Sequence, residues 1–566
     1  MENQSAFVAY QAAGLSANKA QKSAKQKKQN KSTNAKVHFK VPSPKKRKHT
    51  EVSSAQPAQS KSNGTASSPI TNGNTTPQSK TKKKKKSDQQ AHTSNVSNGT
   101  SVHLNEMASI ATTSSTHDLN LSSVENGDKA FAHLLHGYGV KAFMANNWEK
   151  QPLYISREHN RGHYASLKVS TEAIDEMLRN NIVEYTKNLD VTSYENGVRE
   201  THNPDGRALP GSVWEFYRTG CSVRLLNPQT FIGPLHKFNA TLQEYFHCLV
   251  GANIYLTPPN SQGFAPHYDD IEAFVLQIEG QKEWLLYPPR TEDEKLPRES
   301  SGNFQQDEIG EPKFREILSP GDMLYFPRGW IHQAKTVSNH HSLHITLSVY
   351  QKNAFADLFE ELTKQALKTA IEKNVNFRKG LPVDIWNQFG ETYSEFNDLS
   401  ARRKQIKTHL ITMFKEIQNY LDIDSAVDKL ATKYQFDALP PVLGTMEKVR
   451  TCFGTKPLLN NNGDIVMPEM DEETEVRLLR AHIVRLTKVD GAYNLYYHVD
   501  NSKEYHGSDL NFVEVEEATT GVVKKLIHFY PKYVKIANLS NNIEESMAVV
   551  GSLWERGLIM TKNSLE

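Results

Sequence analysis

The feature that most constrains the fold is a series of short apolar segments between residues 212 and 350. Six of them alternate or run apolar over five to nine residues and are separated by Gly and Pro turns. Their sequences are SVRLLNP, ANIYLTPP, EAFVLQIEG, KEWLLYPP, GDMLYFPRG and HSLHITLSVY. Many short strands at close spacing are typical of a β-sandwich or a β-barrel. The pattern therefore predicts a β-rich core in the middle of the chain.

Helical periodicity flanks this strand-rich part on both sides. Apolar residues recur at helical spacing over residues 128–146, ahead of it, and along one face of residues 354–373 and 400–421, behind it. The last part, about residues 437–566, mixes strands with two helices, an order typical of a winged-helix-like module. The sequence therefore predicts an α+β protein. The two long amphipathic helices fit either packing within one subunit or a dimer interface.

The first hundred residues differ from the rest in charge and in apolar content. They hold 19 Lys and Arg against 3 Asp and Glu, whereas the whole chain of 566 residues has 67 against 64. They are also poor in aromatic residues. Such a segment cannot bury enough apolar surface to offset chain entropy, so residues 1–118 are predicted to form a disordered basic tail. Its basic clusters at residues 45–48 and 82–86 are typical of nuclear targeting, and they also attract nucleic acid.

Several protein classes are disfavoured by what the sequence lacks. The three cysteines, Cys221, Cys248 and Cys452, lie far apart, which argues against a disulfide framework or a thiolate zinc cluster. No uncharged apolar run reaches the ~18–20 residues that span a bilayer, and the N-terminus lacks a secretion-signal layout. Neither a P-loop nor a nucleophile elbow is present. We expect a soluble intracellular protein without a membrane partner.

A His-x-Asp pair and a later histidine form the pattern that predicts chemistry. His267 and Asp269 lie in the turn-rich stretch FAPHYDD, and His332 follows in GDMLYFPRGWIHQA. Residues i and i+2 of a strand share one side, so the pair can meet one ion, and a neighbouring strand can supply the second imidazole. Two histidines and one carboxylate leave three positions open, as in non-haem Fe(II) oxygenases. The order of the parts therefore predicts an iron site, with zinc as the alternative metal.

Lys282 is a candidate for holding a co-substrate. It lies 15 residues after His267, on a segment that follows a turn at Gly280. Most lysines on strands extend into water. An inward-facing Lys282, however, could reach a dicarboxylate bound beside the metal and form a charge-assisted hydrogen bond in a partly dry pocket.

These motifs resemble a known family. The stretches PHYDDIEAFVLQIEGQKEWLLYPP, GDMLYFPRGWIHQA and NNWEKQPLYI are similar to JmjC-type 2-oxoglutarate oxygenases, and more closely to the ribosomal oxygenase subgroup. The resemblance covers about residues 119–566. It implies a double-stranded β-helix (JmjC/cupin) barrel as the catalytic domain at 119–351, a helical dimerisation region at 352–436 and a winged-helix-like domain at 437–566. It does not extend to the basic tail.

The resemblance also implies roles for individual residues. Three of them would hold Fe(II), namely His267, Asp269 and His332. Lys282 would bind the C5 carboxylate of 2-oxoglutarate, and O₂ would be the second co-substrate. Substrate-side positions would be Arg224, Asn253, Tyr255 and Ser348. For Asn253 and Ser348 a barrel-lining hydrogen bond is an equally good interpretation.

The activity implied by the resemblance is dioxygenation of a protein side chain. Hydroxylation of a histidine leaves an alcohol, whereas hydroxylation of an N-methyl carbon releases formaldehyde and so demethylates lysine. Both reactions use the same site chemistry, so a ribosomal protein and methylated histone H3 remain alternative substrates. The subgroup further implies a nucleolar location and a role in chromatin regulation and transcriptional repression. A catalytically weak nuclear scaffold is the alternative, although such a barrel would be expected to have lost a metal ligand or the lysine.

Two expectations concern partners. The resemblance implies a homodimer formed through the helices of residues 352–436. Residues 471–566 hold 11 Lys and Arg against 15 Asp and Glu, the wrong sign for contacts with phosphate. Any contact with nucleic acid is therefore expected from the tail alone.

Overall fold

A computed structural model of the chain describes five stretches, which are residues 100–102, 118–119, 121–395, 400–504 and 507–565. Most of the predicted tail, including both basic clusters, lies outside the described residues. Within the tail the structure has a strand that was not predicted, Thr100–Val102, which pairs in parallel with Leu153–Ile155. Among the described helices, none is long and apolar enough to cross a membrane.

The N-terminal part contains both strands and helices, whereas residues 251–349 form seven strands with no α-helix between them. The strands up to residue 349 are β1 Thr100–Val102, β2 Leu153–Ile155, β3 Leu189–Glu195, β4 Val198–Thr201, β5 Ser222–Leu226, β6 Gly251–Thr257, β7 Glu272–Gly280, β8 Lys282–Tyr287, β9 Phe314–Leu318, β10 Met323–Phe326, β11 Ile331–Thr336 and β12 Ser342–Val349. The helices of this part are α1 Ser123–Leu134, α2 Val140–Asn146, α3 Thr171–Asn180, α4 Pro210–Arg218 and α5 Gly233–Phe246. All six predicted strand segments are strands, which are β5, β6, β7, β8, β10 and β12.

The rest of the chain is first helical and then mixed. Its helices are α6 Phe355–Lys373, α7 Glu391–Ser394, α8 Ala401–Ile417, α9 Ile423–Asp437, α10 Thr445–Lys448, α11 Thr520–Phe529 and α12 Ile543–Glu555. Its strands are β13 Leu458–Leu459, β14 Ile465–Val466, β15 Glu475–Leu478, β16 Val484–Val489, β17 Ala492–Tyr497, β18 Asn511–Val515, β19 Val534–Lys535 and β20 Ile559–Thr561. Single 3₁₀ turns lie at Ala165–Leu167, Pro228–Thr230, Glu292–Glu294, Gln306–Glu308, Val375–Arg378, Ile385–Asn387, Gln418–Tyr420, Glu517–Thr519 and Ile536–Asn538.

Two sheets form the barrel. The larger has the strand order β1-β2-β10-β7-β12-β6-β5-β3-β4, and the smaller has the order β11-β8-β9. An apolar cluster joins side chains of both sheets, among them Val275 of β7, Trp284 of β8 and Phe314 of β9. The other face of the large sheet packs against α1, α2 and α5 through a second cluster that includes Phe131, Phe143 and Phe246. One face of the large sheet is thus left to line the barrel interior.

The helix predicted over residues 128–146 is interrupted. The structure has α1 and α2 separated by a turn in which Gly137 and Gly139 both adopt positive φ angles. A positive φ ends a right-handed helix, and glycine adopts it without steric cost. The apolar periodicity continues across the turn because both helices pack against the same sheet.

The predicted boundary at 351/352 lies between β12 and α6, whereas the one at 436/437 falls within α9, one residue before this helix ends at Asp437. The sequence predicted α6 and α8 but not α9 as a separate helix, because α9 follows α8 after only a short turn. The C-terminal part contains the two three-stranded sheets β19-β15-β20 and β16-β17-β18 together with α11 and α12. Its own apolar cluster includes Leu526 of α11 and Val550 of α12.

The turn that carries the chain from the large sheet into the small sheet requires glycine. Gly280 ends β7 with a φ of 60°, and a Cβ there would lie 1.8 Å from the carbonyl oxygen of His341. Lys282 begins β8 two residues later. The position of Lys282 therefore depends on a backbone conformation and a close approach that no other residue tolerates.

We predict that Gly280→Ala lowers the free energy of unfolding by at least ~3 kcal/mol, because it adds both backbone strain and a clash with backbone. Gly302→Ala is the matched control, since its φ is not positive and a Cβ there meets no atom within 4 Å. Urea unfolding followed by circular dichroism measures both variants. Equal free energies of unfolding of the two variants would contradict the conclusion that position 280 requires glycine.

Candidate active site

His267 and His332 meet through the backbone. His267 forms an isolated antiparallel bridge with His332 of β11, in which each amide donates to the carbonyl of the other, at 3.3 and 2.8 Å. His267 and Asp269 were expected in a turn-rich stretch that delivers them to the mouth of a strand. They lie in the irregular segment before β7, where Pro266 supplies no amide hydrogen, and the single bridge sets their register. The two imidazole rings lie 4.4 Å apart between centroids.

Asp269 completes a group of three possible metal ligands. Its carboxylate oxygens lie 3.9 Å from Nε2 of His267 and 3.8 Å from Nε2 of His332. One ligand atom from each of the three residues falls within 4.8 Å of the other two. The structure therefore brings together the three residues predicted to hold a metal.

Hydrogen bonds orient both imidazoles toward the carboxylate. Nδ1 of His267 lies 2.8 Å from the carbonyl oxygen of Ala265, and Nδ1 of His332 lies 3.2 Å from that of Trp330. A carbonyl can only accept, so each Nδ1 carries the proton and each Nε2 keeps a lone pair for a metal. Burial lowers the pKa of His332 to about 4, which keeps this imidazole neutral at physiological pH.

Lys282 is a buried cation in the same barrel. Its side chain is 4% exposed, and its ammonium donates to Oγ1 of Thr257 at 3.1 Å. Within the described part of the chain no carboxylate forms an ion pair with it, and burial lowers its pKa to about 7. A buried ammonium without a counter-ion is costly, so this position favours an anionic ligand.

His344 lies close to both Lys282 and the predicted metal ligand His332. Its ring stacks on Tyr255 at 4.9 Å and meets Trp284 edge-on at 5.3 Å. Its Nδ1 is buried and, in the described structure, has no hydrogen-bond partner. Burial, and then the charge of Lys282, lower the pKa of His344 well below its usual value. A neutral imidazole thus lies close to both the ammonium of Lys282 and the ring of His332.

The predicted substrate-side residues divide into two groups. Arg224 is buried and ion-paired with Asp190, to which its Nε donates at 3.1 Å. Burial raises the pKa of Tyr255, while its hydrogen bonds with Asn253 and Arg224 lower it. Arg224 therefore orients Tyr255, and the positive charge of Arg224 is already balanced by Asp190. Ser348 lies apart from these residues, beside Gly251 near the end of β12.

Sequence reasoning missed residues that support the site. Thr257 accepts a hydrogen bond from the ammonium of Lys282. Asn253, Tyr255 and Thr257 follow one another at intervals of two on β6 and so share one face of the strand. The spacing that grouped Asn253 with Tyr255 therefore also indicated Thr257. Ser300 donates to Asp269 at 3.4 Å and to Asp270 at 2.8 Å. It lies in a loop without regular structure, so the sequence contained no signal for it.

Comparison with known proteins identifies close relatives. The bifunctional lysine-specific demethylase and histidyl-hydroxylase NO66 of Culex quinquefasciatus is 50% identical over 448 residues, which are 78% of this chain and 68% of that protein. The proteins of the same name from Aedes aegypti and Drosophila melanogaster are 49% and 45% identical, and the matches cover 77% and 78% of this chain and 68% of each relative. This chain belongs to the NO66 family.

Domain families match two parts of this NO66-family chain. The JmjC domain matches residues 224–358, and the family described as the ribosomal oxygenase 1 C-terminal winged helix domain matches residues 439–565. The predicted fold class is thereby confirmed. Among solved structures, Escherichia coli ycfD aligns with a TM-score of 0.41 and 13% identity, over 75% of this chain and 98% of that one.

We predict that His332→Ala and Asp269→Ala each weaken Mn(II) binding at least about a hundredfold, because each removes a ligand that the other two cannot replace. Isothermal titration calorimetry measures the affinity. His340→Ala is the control, since His340 is exposed and is not in the ligand group. Wild-type affinity in either ligand variant would show that the metal binds elsewhere.

Proposed function

We propose that this chain is an Fe(II)- and 2-oxoglutarate-dependent dioxygenase that oxidises a side chain of another protein. The observation that carries the proposal is one barrel interior in which His267, Asp269 and His332 converge near a buried, uncompensated Lys282. The names of the close relatives, lysine-specific demethylase and histidyl-hydroxylase, support it.

The residues present fit both ligands. Two imidazoles and one carboxylate are the donor set of non-haem iron oxygenases and would hold Fe(II) on one face. Lys282 would bind the C5 carboxylate of 2-oxoglutarate, with Thr257 fixing the ammonium. When bound, the iron and 2-oxoglutarate supply the oxidising chemistry, in which O₂ yields succinate, CO₂ and one oxygen atom inserted into a substrate C–H bond.

The other residues of the site would position the substrate and exclude water. Tyr255, held by Arg224 and Asn253, would face the substrate beside the metal ligands. The apolar walls of the barrel, among them Trp284 and Phe326, exclude water from the reacting atoms. The proposed substrates are a histidine of a ribosomal protein and methylated lysines of histone H3, because one C–H oxidation serves both reactions.

We further propose a homodimer built through the helical region. Large apolar side chains stand exposed on its helices and loops, including Phe355 at 80%, Trp386 at 75% and Phe414 at 72%. An apolar surface of this kind marks an interface with another protein. The family resemblance makes a second copy of this chain the natural partner.

We also propose a nuclear and nucleolar location and a role in chromatin regulation and transcriptional repression. The support is the pair of basic clusters in the tail, together with the family to which the chain belongs. Contact with nucleic acid, if made through the tail, would be weakened by salt.

The first prediction from the proposed function concerns the reaction. Incubation with Fe(II), ascorbate and 2-oxoglutarate adds one oxygen atom to a histidine peptide of a ribosomal protein, or removes methyl groups from methylated H3 peptides with release of formaldehyde. Mass spectrometry of both peptides under one protocol decides between the substrates. His267→Ala is the inactive control. Turnover of neither peptide by iron-loaded protein would contradict the proposal.

The second prediction concerns pH. Because the pKa of Lys282 is about 7 and only the ammonium binds a carboxylate, the Kd for 2-oxoglutarate on Mn(II)-loaded protein rises about tenfold per pH unit above 7. Below pH 7 this group contributes no further change. Lys282→Arg stays charged, so its Kd varies less with pH. A wild-type Kd that does not change between pH 7 and pH 9 would exclude Lys282 as the anchor.

The third prediction concerns oligomeric state. Light scattering at micromolar concentration gives twice the monomer mass for the wild-type protein. Phe414→Glu places a charge on the exposed apolar face of α8 and shifts the protein to monomer. Phe512→Glu, at a half-exposed apolar position of β18, is the control and stays dimeric. A monomeric wild-type protein would refute the dimer.

A further inference from the structure

A long connection, residues 288–313, joins β8 to β9. Its regular structure, in this fully described part of the chain, consists of the 3₁₀ turns Glu292–Glu294 and Gln306–Glu308. Connections longer than about 15 residues without secondary structure are uncommon in compact domains, and ordered ones usually have a function. The middle of this connection, the strap of residues 298–304, runs along the segment that carries two of the predicted metal ligands.

Hydrogen bonds fasten the strap to this ligand segment, which is residues 266–270. The amide of Phe304 donates to the carbonyl of Pro266 at 2.9 Å. The amide of Ser301 donates to the carbonyl of Tyr268 at 3.0 Å, and the amide of Tyr268 donates to Oγ of Ser301 at 2.9 Å. Tyr268 lies between the two predicted ligands of the segment, so the strap holds the backbone that joins them.

Ser300 of the strap holds the acidic end of the ligand segment. Its hydroxyl donates to Oδ1 of Asp270 at 2.8 Å and lies 3.4 Å from Oδ1 of the predicted ligand Asp269. The amide of Asp270 donates back to Oγ of Ser300 at 3.3 Å. The other carboxylate oxygen of Asp270, which is buried, accepts from Gln351 at 2.8 Å, just before α6. The neighbour of Asp269 is thus held from both the strap and the start of the helical region.

Arg298 ties the strap to α6. Its guanidinium donates to Oδ1 of Asp357 at 2.9 Å and to the two carboxylate oxygens of Glu360 at 2.7 and 3.0 Å. Asp357 is buried and also accepts from the amide of Ala354 at 2.8 Å, so the first turn of α6 fixes its carboxylate. An isolated exposed ion pair stabilises little, but a forked contact to two carboxylates, one of them buried, fixes the direction of Arg298.

These contacts form one path from the helical region to the metal site. It runs from α6 through Arg298 to Ser300 and Ser301, and from these serines to the ligand segment. Each step is a hydrogen bond or an ion pair between described residues. Groups that hold metal ligands in place commonly change metal affinity ten- to a hundredfold when they are removed.

We propose that Arg298 is a positioning residue for the metal site. By fastening the strap to α6 it holds Tyr268 and Asp270, and through them it sets the position of Asp269 relative to the two imidazoles. Metal affinity in the barrel therefore depends on a contact with the helical region. The inference rests on the metal site that the proposed function requires, and it holds whichever protein side chain is oxidised.

The test measures Mn(II) affinity of the full chain by isothermal titration calorimetry. Arg298→Ala removes the anchor, and Arg298→Lys keeps a charge that can still pair with one carboxylate. Arg402→Ala is the matched control. Arg402 is 44% exposed, against 41% for Arg298, and its forked ion pair with Asp384 does not involve the strap.

In Arg298→Ala the Kd for Mn(II) rises about tenfold, because Asp269 is no longer held in one position. Arg298→Lys gives an intermediate Kd, and Arg402→Ala keeps the wild-type value. In the metal-free protein, hydrogen exchange of residues 266–270 is faster in Arg298→Ala than in Arg402→Ala, because the bond from the amide of Tyr268 opens more often. Urea unfolding gives the two variants the same midpoint, which excludes a general loss of stability.

Four outcomes would overturn the proposal. A wild-type Kd in Arg298→Ala would show that the strap needs no anchor on α6. An equal rise in Arg402→Ala would reduce the effect to the loss of any surface ion pair. A raised Kd without faster exchange of residues 266–270 would rule out the path through the strap. Failure of the wild-type protein to bind Mn(II) would contradict the metal site and the proposed function themselves, whereas the first three outcomes leave both standing.

Discussion

The pair of backbone hydrogen bonds between His267 and His332 determines the geometry of the site. His267 belongs to an irregular segment before β7, and His332 belongs to β11 of the smaller sheet. Their reciprocal bonds fix the register between these segments, and a shift by one residue would turn one imidazole away from the other. Asp269, two residues after His267, is placed by the same constraint. The three predicted metal ligands come from two distant segments, and their arrangement therefore depends on one bridge.

The second determinant of the site is the buried positive charge of Lys282. The barrel buries the ammonium of Lys282 with a hydroxyl as its described hydrogen-bond partner and with the neutral His344 nearby. A buried charge of this kind lowers stability unless an anion arrives, so the energy released by anion binding includes the relief of that cost. The steric demand at Gly280 keeps the lysine in place. The free protein is thus prepared for a dicarboxylate.

Much of the fold could be predicted from the sequence because the relevant patterns are local. The six strands from β5 to β12 that alternate or run apolar were found, as were α6, α8, α11 and α12. β11 was missed as a strand because its sequence, IHQAKT, has only one large aliphatic residue, although His332 within it was singled out. The three ligands and Lys282 could be placed from their order along the chain. Their roles remain a prediction.

What could not be predicted depends on contacts between distant segments. The ion pair of Arg224 with Asp190, which occupies a residue expected to face substrate, joins neighbouring strands across a register that the sequence does not specify. The contacts of the strap with Tyr268 and of Arg298 with α6 likewise join segments that are distant in sequence. No single segment carries a signal for them.

The most direct test of the central claim is the origin of the oxygen in the product. The account predicts that the oxidised histidine peptide formed under ¹⁸O₂ is two mass units heavier than the product formed under ordinary O₂, with one succinate released per product. For a demethylated peptide the label would appear in formaldehyde trapped before exchange with water. Product formed at full yield without the label, or without succinate, would contradict the assignment of this site to a 2-oxoglutarate-dependent dioxygenase.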